Sequence, residues 1–423
     1  MNAVPTLSLA LALAFAAPVF SAAARADYLP DPAAAEAALQ ASPMVAQARG
    51  DLAAQTLRSE SLQRGREEWT LGADALQRRI DSPQGRFAEW GVALSRPLRL
   101  PARAEADRAL AGALTAHAEA SLGEAMHESG RQLLALWFDW LNQAGQTRLW
   151  QAQVALAEQQ LDSVNERIRL GEAPRSERVN AEAALAQVRL QQQQAATRER
   201  QARSRLVAQY PGLPVTADET LPPPTPPSGT ADDYVSAVLA HNHELFRARR
   251  QAEVLRAEAR QLASRRSVDP NVGVFYKSEM GGNEHLLGLS VGLTLPGGAR
   301  RTDQQAAEQL SATAEDAAIR LEQRLRQEAR ADFETTLAQV TNWQQADRAA
   351  QALAEGARLA ARAYSLGEGS LDQVLLNRRL ALEGQLTAQQ AQFAALAANA
   401  RLKLDAHQLW PLDVDADSAH AHP

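Results

Sequence analysis

The chain has 423 residues, of which 45% are apolar and 5% aromatic, and its formal net charge is −6. This length exceeds one ordinary domain, and the negative charge excludes a nucleic-acid-binding protein with a basic surface. Cysteine is absent, which excludes disulfides, thiolate metal sites and cysteine nucleophiles, while a mean hydropathy of −0.34 excludes a polytopic helical membrane protein.

Residues 1–26 are predicted to be a signal peptide. The apolar run Leu7 to Phe20 is too short to span a membrane as a helix. It is followed by the cleavage pattern Ala24-Arg25-Ala26, so the mature chain is expected to begin near Asp27. A buried N-terminal helix is the alternative.

The rest of the sequence contains an internal repeat. Leu94 to Pro101 returns as Leu289 to Pro296, and Leu170 to Glu172 returns as Leu366 to Glu368, at nearly the same offset. Two unrelated landmarks at one offset predict a tandem duplication. The predicted division is a first repeat at 27–210, a proline-rich linker at 211–230, a second repeat at 231–410 and a polar C-terminal tail at 411–423.

Each repeat is predicted to contain a helix, a pair of strands and a long helical hairpin. In the first repeat the strand pair lies near 68–100, with strands Glu68 to Leu76 and Arg86 to Leu94, and the hairpin occupies 102–210. In the second repeat the strand pair lies near 271–295 and the hairpin occupies 297–410.

Apolar and small polar residues alternate along these strands. The alternation is clearest between Leu287 and Leu295, where Val291 is the central apolar residue. Strands of about ten residues with this pattern are typical of transmembrane β-barrels. The predicted lipid-facing residues are Trp69, Leu71, Trp90, Val92, Leu287, Leu289, Val291 and Leu293. A soluble sandwich would need further strands, and the sequence predicts none.

The hairpins are predicted to be very long. From Ala102 to Leu170 a continuous helix would extend about 100 Å, which suits a structure that bridges the periplasm. Val154, Leu161 and Ile168 recur every seven residues near the turn, which indicates a coiled-coil seam. Four strands are too few to close a barrel, so the chain is expected to oligomerise; three copies would supply twelve strands.

The sequence resembles the outer membrane factor (TolC) family over almost the whole mature chain. The likeness is carried by residues 167–174 with 179–181, and by residues 363–371 with 374–375. The second stretch, Tyr-x-x-Gly-x-x-Ser-Leu before an apolar helix, is similar to the heavy-metal (cobalt-zinc-cadmium type) efflux branch. The resemblance implies a mainly α fold with a small β part: a trimeric twelve-strand outer-membrane barrel that continues into an α-helical periplasmic tunnel.

The resemblance also implies partners and sites. The implied partners are two further copies of the chain, a periplasmic adaptor (membrane fusion) protein, an inner-membrane pump of the RND type and outer-membrane lipid. The two hairpin turns are the predicted adaptor-docking tips, formed by Leu170, Gly171, Glu172, Leu366, Gly367 and Glu368. The predicted periplasmic entrance residues are Asp372, Gln373 and Leu376. Gln373 and Leu376 stand where some family members carry aspartates, and Asp372 lies beside them.

No catalytic constellation, phosphate loop or H-E-x-x-H motif is present, so we expect neither an enzyme nor a bound cofactor. The close pair His241 and His243 is interpreted as structural or solvent-facing. In the C-terminal tail, His420 and His422 follow alternating aspartates and are weak candidates for metal binding.

These observations predict the outer-membrane exit duct of a tripartite efflux system that carries divalent metal cations. The alternatives are a periplasmic coiled-coil adaptor or scaffold, and the same duct serving drug efflux or type I secretion.

Overall fold

A computed structural model describes residues 28–82, 84–216 and 221–410. The predicted signal peptide and the C-terminal tail, with His420 and His422, lie outside the described residues. The elements in chain order are α1 (Pro32–Gln40), α2 (Pro43–Arg64), β1 (Thr70–Asp81), β2 (Gln84–Pro97), α3 (Pro101–Arg169), α4 (Arg175–Gln209), α5 (Ala231–His241), α6 (His243–Ser264), β3 (Asp269–Glu279), a 3₁₀ turn (Met280–Gly282), β4 (Glu284–Thr294), α7 (Ala299–Ser365) and α8 (Leu371–Asp405).

Two helices precede each strand pair, where a single helix was predicted. The break between α1 and α2 falls at Ser42, whose hydroxyl accepts a hydrogen bond from the backbone N–H of Val45. The break between α5 and α6 falls at Asn242, which accepts from the N–H of Leu245 at 2.7 Å. Both residues cap the N-terminus of the longer helix, so local capping chemistry starts a new helix at these positions.

The four strands form one antiparallel sheet in the order β1-β2-β3-β4. Pairing of β2 with β3 joins the two repeats, since each repeat supplies one hairpin. The strands of the first strand pair extend beyond their predicted bounds, because the β1–β2 ladder continues through polar residues to the pair Asp81 and Gln84. At its other end, Trp69 lies just before β1 rather than within it.

The long helices form the rest of the molecule. α3 has 69 residues and α7 has 67, so each is about 100 Å long. Pro101 is the first residue of α3, a position whose backbone N–H makes no hydrogen bond within a helix, so proline is tolerated there. Residues 102–169 contain no further proline. α4 and α8 pair with the tip-proximal halves of α3 and α7, while α2 and α6 pack on the sheet-proximal half of α3.

The largest apolar core lies near the middle of the long helices. It brings together α1, α3, the end of α4 and the end of α8, and its fully buried members include Leu39, Leu133, Leu206, Tyr210 and Leu404. The Tyr210 hydroxyl donates to the backbone oxygen of Ser129 at 2.7 Å, so the phenol is satisfied within the core.

A buried ionic contact fixes the sheet to the helices. Arg99, which follows β2, contacts Asp107 of α3 at 2.7 Å, and Gln261 of α6 donates to the same carboxylate at 2.6 Å. Arg99 also donates to the backbone oxygens of Leu62 and Gln63 at the end of α2. Three helices, α2, α3 and α6, therefore meet at this one buried pair next to the end of β2.

Candidate functional site

The first candidate surface is one face of the four-stranded sheet. Directly opposed residues form the apolar row Leu71, Leu94, Val274 and Leu289 across all four strands. The next row is Ala73, Val92, Tyr276 and Leu287.

This apolar face is exposed. Leu287 and Leu289 are 82% and 81% exposed, and Leu71 is 75% exposed. Burying a leucine side chain contributes about 1.5–3 kcal/mol, so a continuous exposed face of such residues identifies a surface that contacts lipid or another protein.

Rings lie at both borders of this apolar face. At one border, the Arg96 guanidinium lies 5.4 Å from the Trp69 ring centroid. At the other, Trp90 and Tyr276 have ring centroids 5.6 Å apart, and the Tyr276 hydroxyl lies 2.8 Å from Nδ1 of His285. Amphipathic rings at the two edges of an apolar band are typical of membrane–water interfaces.

The opposite face of the sheet is more polar, although Phe87, Phe275 and Leu286 also lie on it. One row there is Thr70, Ser95, Gly273 and Ser290, and the face also carries an ionic contact in which Arg78 reaches Glu89 and Glu279, each at 2.7 Å. The predicted lipid-facing residues within the strands, namely Leu71, Trp90, Val92, Leu287, Leu289, Val291 and Leu293, all lie on the apolar face.

The second candidate surface is the pair of hairpin tips. Gly171 and Gly367 have φ values of +78° and +81° and follow the last residues of α3 and α7 closely. At the first tip Glu172 N–H donates to the oxygen of Arg167, and at the second Glu368 N–H donates to the oxygen of Ala363. Both tips are therefore Schellman turns, which require a residue in the left-handed region.

The tips are open to solvent. Leu170 is 56% exposed and Leu366 is 57% exposed, while Glu172 and Glu368 are also exposed. A Cβ added at Gly171 or at Gly367 would meet no atom within 4 Å. The six predicted docking residues thus form two similar exposed turns.

A small core joins the two hairpins just behind the tips. Val164 and Ala181 of the first hairpin pack against Tyr364, Leu371 and Val374 of the second. This contact was not predicted, because heptad spacing indicates an apolar seam within one hairpin and does not show which other helix covers it.

Tyr364 is the polar centre of this tip core. Its hydroxyl donates to Oε2 of Glu177 at 2.6 Å, and the Arg167 guanidinium lies 4.3 Å from its ring centroid. Burial and the hydrogen bond to Glu177 raise the pKa of Tyr364 to about 12, so the phenol stays a donor at neutral pH.

The three predicted entrance residues lie in the first two turns of α8. Oδ1 of Asp372 accepts from the side-chain amide of Asn180 at 3.4 Å, which links α8 to α4. The backbone N–H of Gln373 is capped by the Ser370 hydroxyl, and Leu376 is exposed. Of the three, Asp372 makes a side-chain hydrogen bond to the first helical hairpin, and Leu376 lines a cavity together with residues of α3 and α4.

Four histidines cluster near the middle of the long helices. The His407 ring centroid lies 5.6 Å from that of His127, 5.2 Å from that of His241 and 5.0 Å from that of His243. The sequence shows only the pair His241 and His243, because the other two come from α3 and the segment after α8. Within residues 28–82, 84–216 and 221–410, no three histidine or acidic side chains are placed to hold a metal ion.

His127 is buried and neutral. Its Nε2 lies 3.4 Å from Oδ1 of Asp405, a carboxylate that Arg131 contacts at 2.8 Å. Burial, with the nearby Arg131 charge, lowers the pKa of His127 to about 3.

Lowering the pH from about 7 to about 4 is therefore expected to destabilise the fold through His127. The His127 imidazole takes up a proton near pH 6.5 in the unfolded chain but only near pH 3 in the folded chain. The contribution of neutral His127 to the free energy of unfolding is therefore complete above pH 6.5 and is lost as the pH falls toward 3. The loss is on the order of 3 kcal/mol at pH 4. Thermal unfolding in neutral detergent should show a flatter pH dependence for His127→Gln than for the exposed control His285→Gln. Identical pH dependence of the two variants would contradict this assignment.

Among the described helices, none is both long enough and apolar enough to cross a membrane.

Known structures share this fold over nearly the whole chain. The CmeC outer membrane channel of Campylobacter jejuni has a TM-score of 0.73 at 12% identity, covering 93% of this chain and 89% of that one. The outer membrane protein VceC of Vibrio cholerae has a TM-score of 0.70 at 15% identity, covering 89% and 99%. The open-state MtrE outer membrane channel of Neisseria gonorrhoeae has a TM-score of 0.61 at 18% identity, covering 91% and 92%.

No protein-family model matches this sequence, and no curated protein does either. The likeness to outer membrane channels is thus confirmed at the level of the fold. The neighbours are channel proteins rather than enzymes, and they do not distinguish the heavy-metal branch from others.

Proposed function

We propose that the chain forms the outer-membrane channel of a tripartite efflux system, a passive duct without catalytic activity. The observation that carries this proposal is the exposed apolar face of the sheet, bordered by aromatic rings, at the end of two hairpins about 100 Å long. The shared fold with outer membrane channels supports it.

The apolar face has the dimensions of a membrane band. Between its two ring borders, from the row of Trp90 and His285 to the row of Arg96 and Val291, the strand direction covers roughly 20 Å, comparable with the apolar band of about 25 Å in outer-membrane barrels. In the described part of the chain, β1 and β4 each pair on one side only. An open sheet edge is not tolerated in lipid, so the proposal requires further copies of the chain. Three copies would close a barrel of twelve strands.

The helical part is proposed to lie in the periplasm and to continue the barrel as a tunnel. The polar sheet face, with Thr70, Ser95 and Ser290, would then line the inside together with the helices. Asp372, Gln373 and Leu376 are proposed to lie at the periplasmic entrance, because α8 begins at the tip furthest from the sheet.

The hairpin tips are proposed to receive a periplasmic adaptor that links the duct to an inner-membrane pump of the RND type. Two exposed Schellman turns per chain would give six similar turns around a trimer. Glycine at Gly171 and Gly367 permits close backbone approach, and Leu170 and Leu366 supply apolar contact.

Divalent metal cations are the proposed substrate on the strength of the stretch from Tyr364 to Leu371 alone. The same duct would suit drug efflux or type I secretion, since the pump selects the substrate. A periplasmic adaptor is not favoured, because in a protein surrounded by water the apolar face of the sheet would remain exposed to solvent.

A direct test is the location and detergent dependence of the full-length protein. We expect it in the outer-membrane fraction, soluble only with detergent, and cross-linkable to a trimer after extraction. Full solubility in detergent-free buffer as a monomer would contradict the proposal and favour a periplasmic scaffold.

A further inference from the structure

A cavity of about 520 Å³ lies between α3, α4 and α8, directly behind the tip core. It extends along residues 150–160 of α3, 180–191 of α4 and 372–382 of α8. Arg378 in its wall is one helical turn beyond Val374, a member of the tip core. The volume is in the range of small-molecule binding sites.

Most of the cavity wall is apolar. Trp150, Leu375 and Leu382 contribute large side chains, while Ala157 and Ala184 leave space that longer side chains would fill. A ligand in this cavity would therefore need an apolar body.

Two nitrogen groups in the wall, one buried and one half-buried, lack an anionic partner. Gln160 is only 7% exposed, and its Nε2 has no hydrogen-bond partner within the described residues. Arg378 donates from Nη1 to the backbone oxygen of Leu156 at 3.1 Å, and no carboxylate of the described chain lies within ion-pair distance of it. Burial lowers the pKa of Arg378.

Leaving such groups without a partner is costly. A buried donor such as the Gln160 amide loses the hydrogen bond it had with water when no acceptor faces it, and the half-buried Arg378 guanidinium loses part of its hydration without gaining an anion. The other charged residues in the wall do not supply that anion. Asp372 accepts from Asn180, and Arg379 pairs with Glu383.

We propose that this cavity binds a small amphipathic anion, a carboxylate or sulfonate attached to an apolar ring or short chain. The anionic head would accept from Arg378 and from Nε2 of Gln160, and the apolar body would lie against Trp150 and the leucines. A guanidinium binds a carboxylate through paired N–H donors, so an anion is favoured over a cation of the same shape. The site is formed by three helices of one chain, so ligand binding is measured separately from membrane insertion and conductance. A negative binding result would therefore contradict this site and leave the channel proposal standing.

The test uses 4-iodobenzoate, an aromatic carboxylate whose iodine quenches tryptophan fluorescence on contact. With the purified full-length protein in neutral detergent, we expect saturable quenching that is lost in Trp150→Phe. The cation 4-iodobenzylamine, of similar size, is expected to quench only in proportion to its concentration. Equal saturable quenching by both compounds would overturn the proposal.

Two variants test where the head and the body of the ligand bind, and a third is the control. Arg378→Gln is expected to weaken binding by about tenfold or more, because one charged hydrogen-bonding partner is lost. Ala184→Leu is expected to abolish binding by filling the cavity, while Arg348→Gln, at an exposed position on α7, should bind as the wild type does. Circular dichroism confirms that each variant is folded. Unchanged affinity in folded Arg378→Gln and Ala184→Leu, or no saturable binding to the wild type, would show that the cavity is not such a site.

Discussion

Leu289→Arg is expected to block membrane assembly, whereas Ser290→Arg next to it should assemble nearly as the wild type does. Leu289 stands in the central apolar row with Leu71, Leu94 and Val274 and is 81% exposed. An arginine on the lipid side of a barrel costs about 2–4 kcal/mol near the membrane midplane and about 0–1 kcal/mol near an interface. Ser290 lies on the polar face and is exposed there, so a charge at that position meets water.

Leu289 is preferred to Val291 because of the strand register. The sequence places Val291 at the centre of the apolar run, but the ladder pairs Val291 with Val272, which pairs with Arg96. Arg96 packs on Trp69 at one border of the apolar face. Val291 is therefore closer to an interface, and Val291→Arg should have a smaller effect than Leu289→Arg.

The measurement is the fraction of each variant that reaches the outer membrane as a cross-linkable trimer, at matched expression. The expected order of assembly is wild type and Ser290→Arg first, then Val291→Arg, then Leu289→Arg. Normal assembly of Leu289→Arg, or equal loss for both faces, would contradict lipid contact by the apolar face.

Gly367→Trp is expected to leave trimer formation and membrane insertion intact while abolishing efflux and adaptor docking. Gly367 has φ +81° and open space around it, so the indole would project outward from the tip. A non-glycine residue in the left-handed region costs about 1–2 kcal/mol, which a fold of this size tolerates. The bulky ring would block the close backbone approach that docking requires.

The matched control is Gly367→Asn, because asparagine adopts the left-handed conformation more readily and carries a smaller side chain. It should retain most of the efflux activity. Gly171→Trp should act in the same direction but more weakly, because Pro174 already shapes that turn.

Adaptor docking can be measured by cross-linking, because the native chain has no cysteine. A single cysteine in place of exposed Leu366 should cross-link to the adaptor, and adding Gly367→Trp should remove that product. Full resistance and full cross-linking in both tryptophan variants would show that the adaptor docks elsewhere on the tunnel.

Features that depend on local periodicity could be predicted from the sequence. The alternation from Leu287 to Leu295 indicated β4, and the absence of proline after Pro101 indicated a helix of nearly the observed length. Gly171 and Gly367 marked both tips because a Schellman turn requires φ > 0.

Features that depend on distant packing could not be predicted. The hydrogen bond from Tyr364 to Glu177 joins residues 187 positions apart, and the His127–His407 contact joins α3 to the segment that follows α8. No spacing rule encodes such pairs. The cavity beside Arg378 was missed for the same reason, since its wall combines three helices.

Single-channel recording in planar lipid bilayers tests the central proposal most directly. The purified full-length protein, inserted from neutral detergent, is expected to give discrete ion-conducting steps. Leu289→Arg should give few insertions, and Gly367→Trp should give insertions at the normal frequency. The same preparation is expected to show no hydrolytic or redox turnover. A protein that reaches the bilayer as a trimer without conducting, or one with turnover that persists through repurification, would contradict a passive duct.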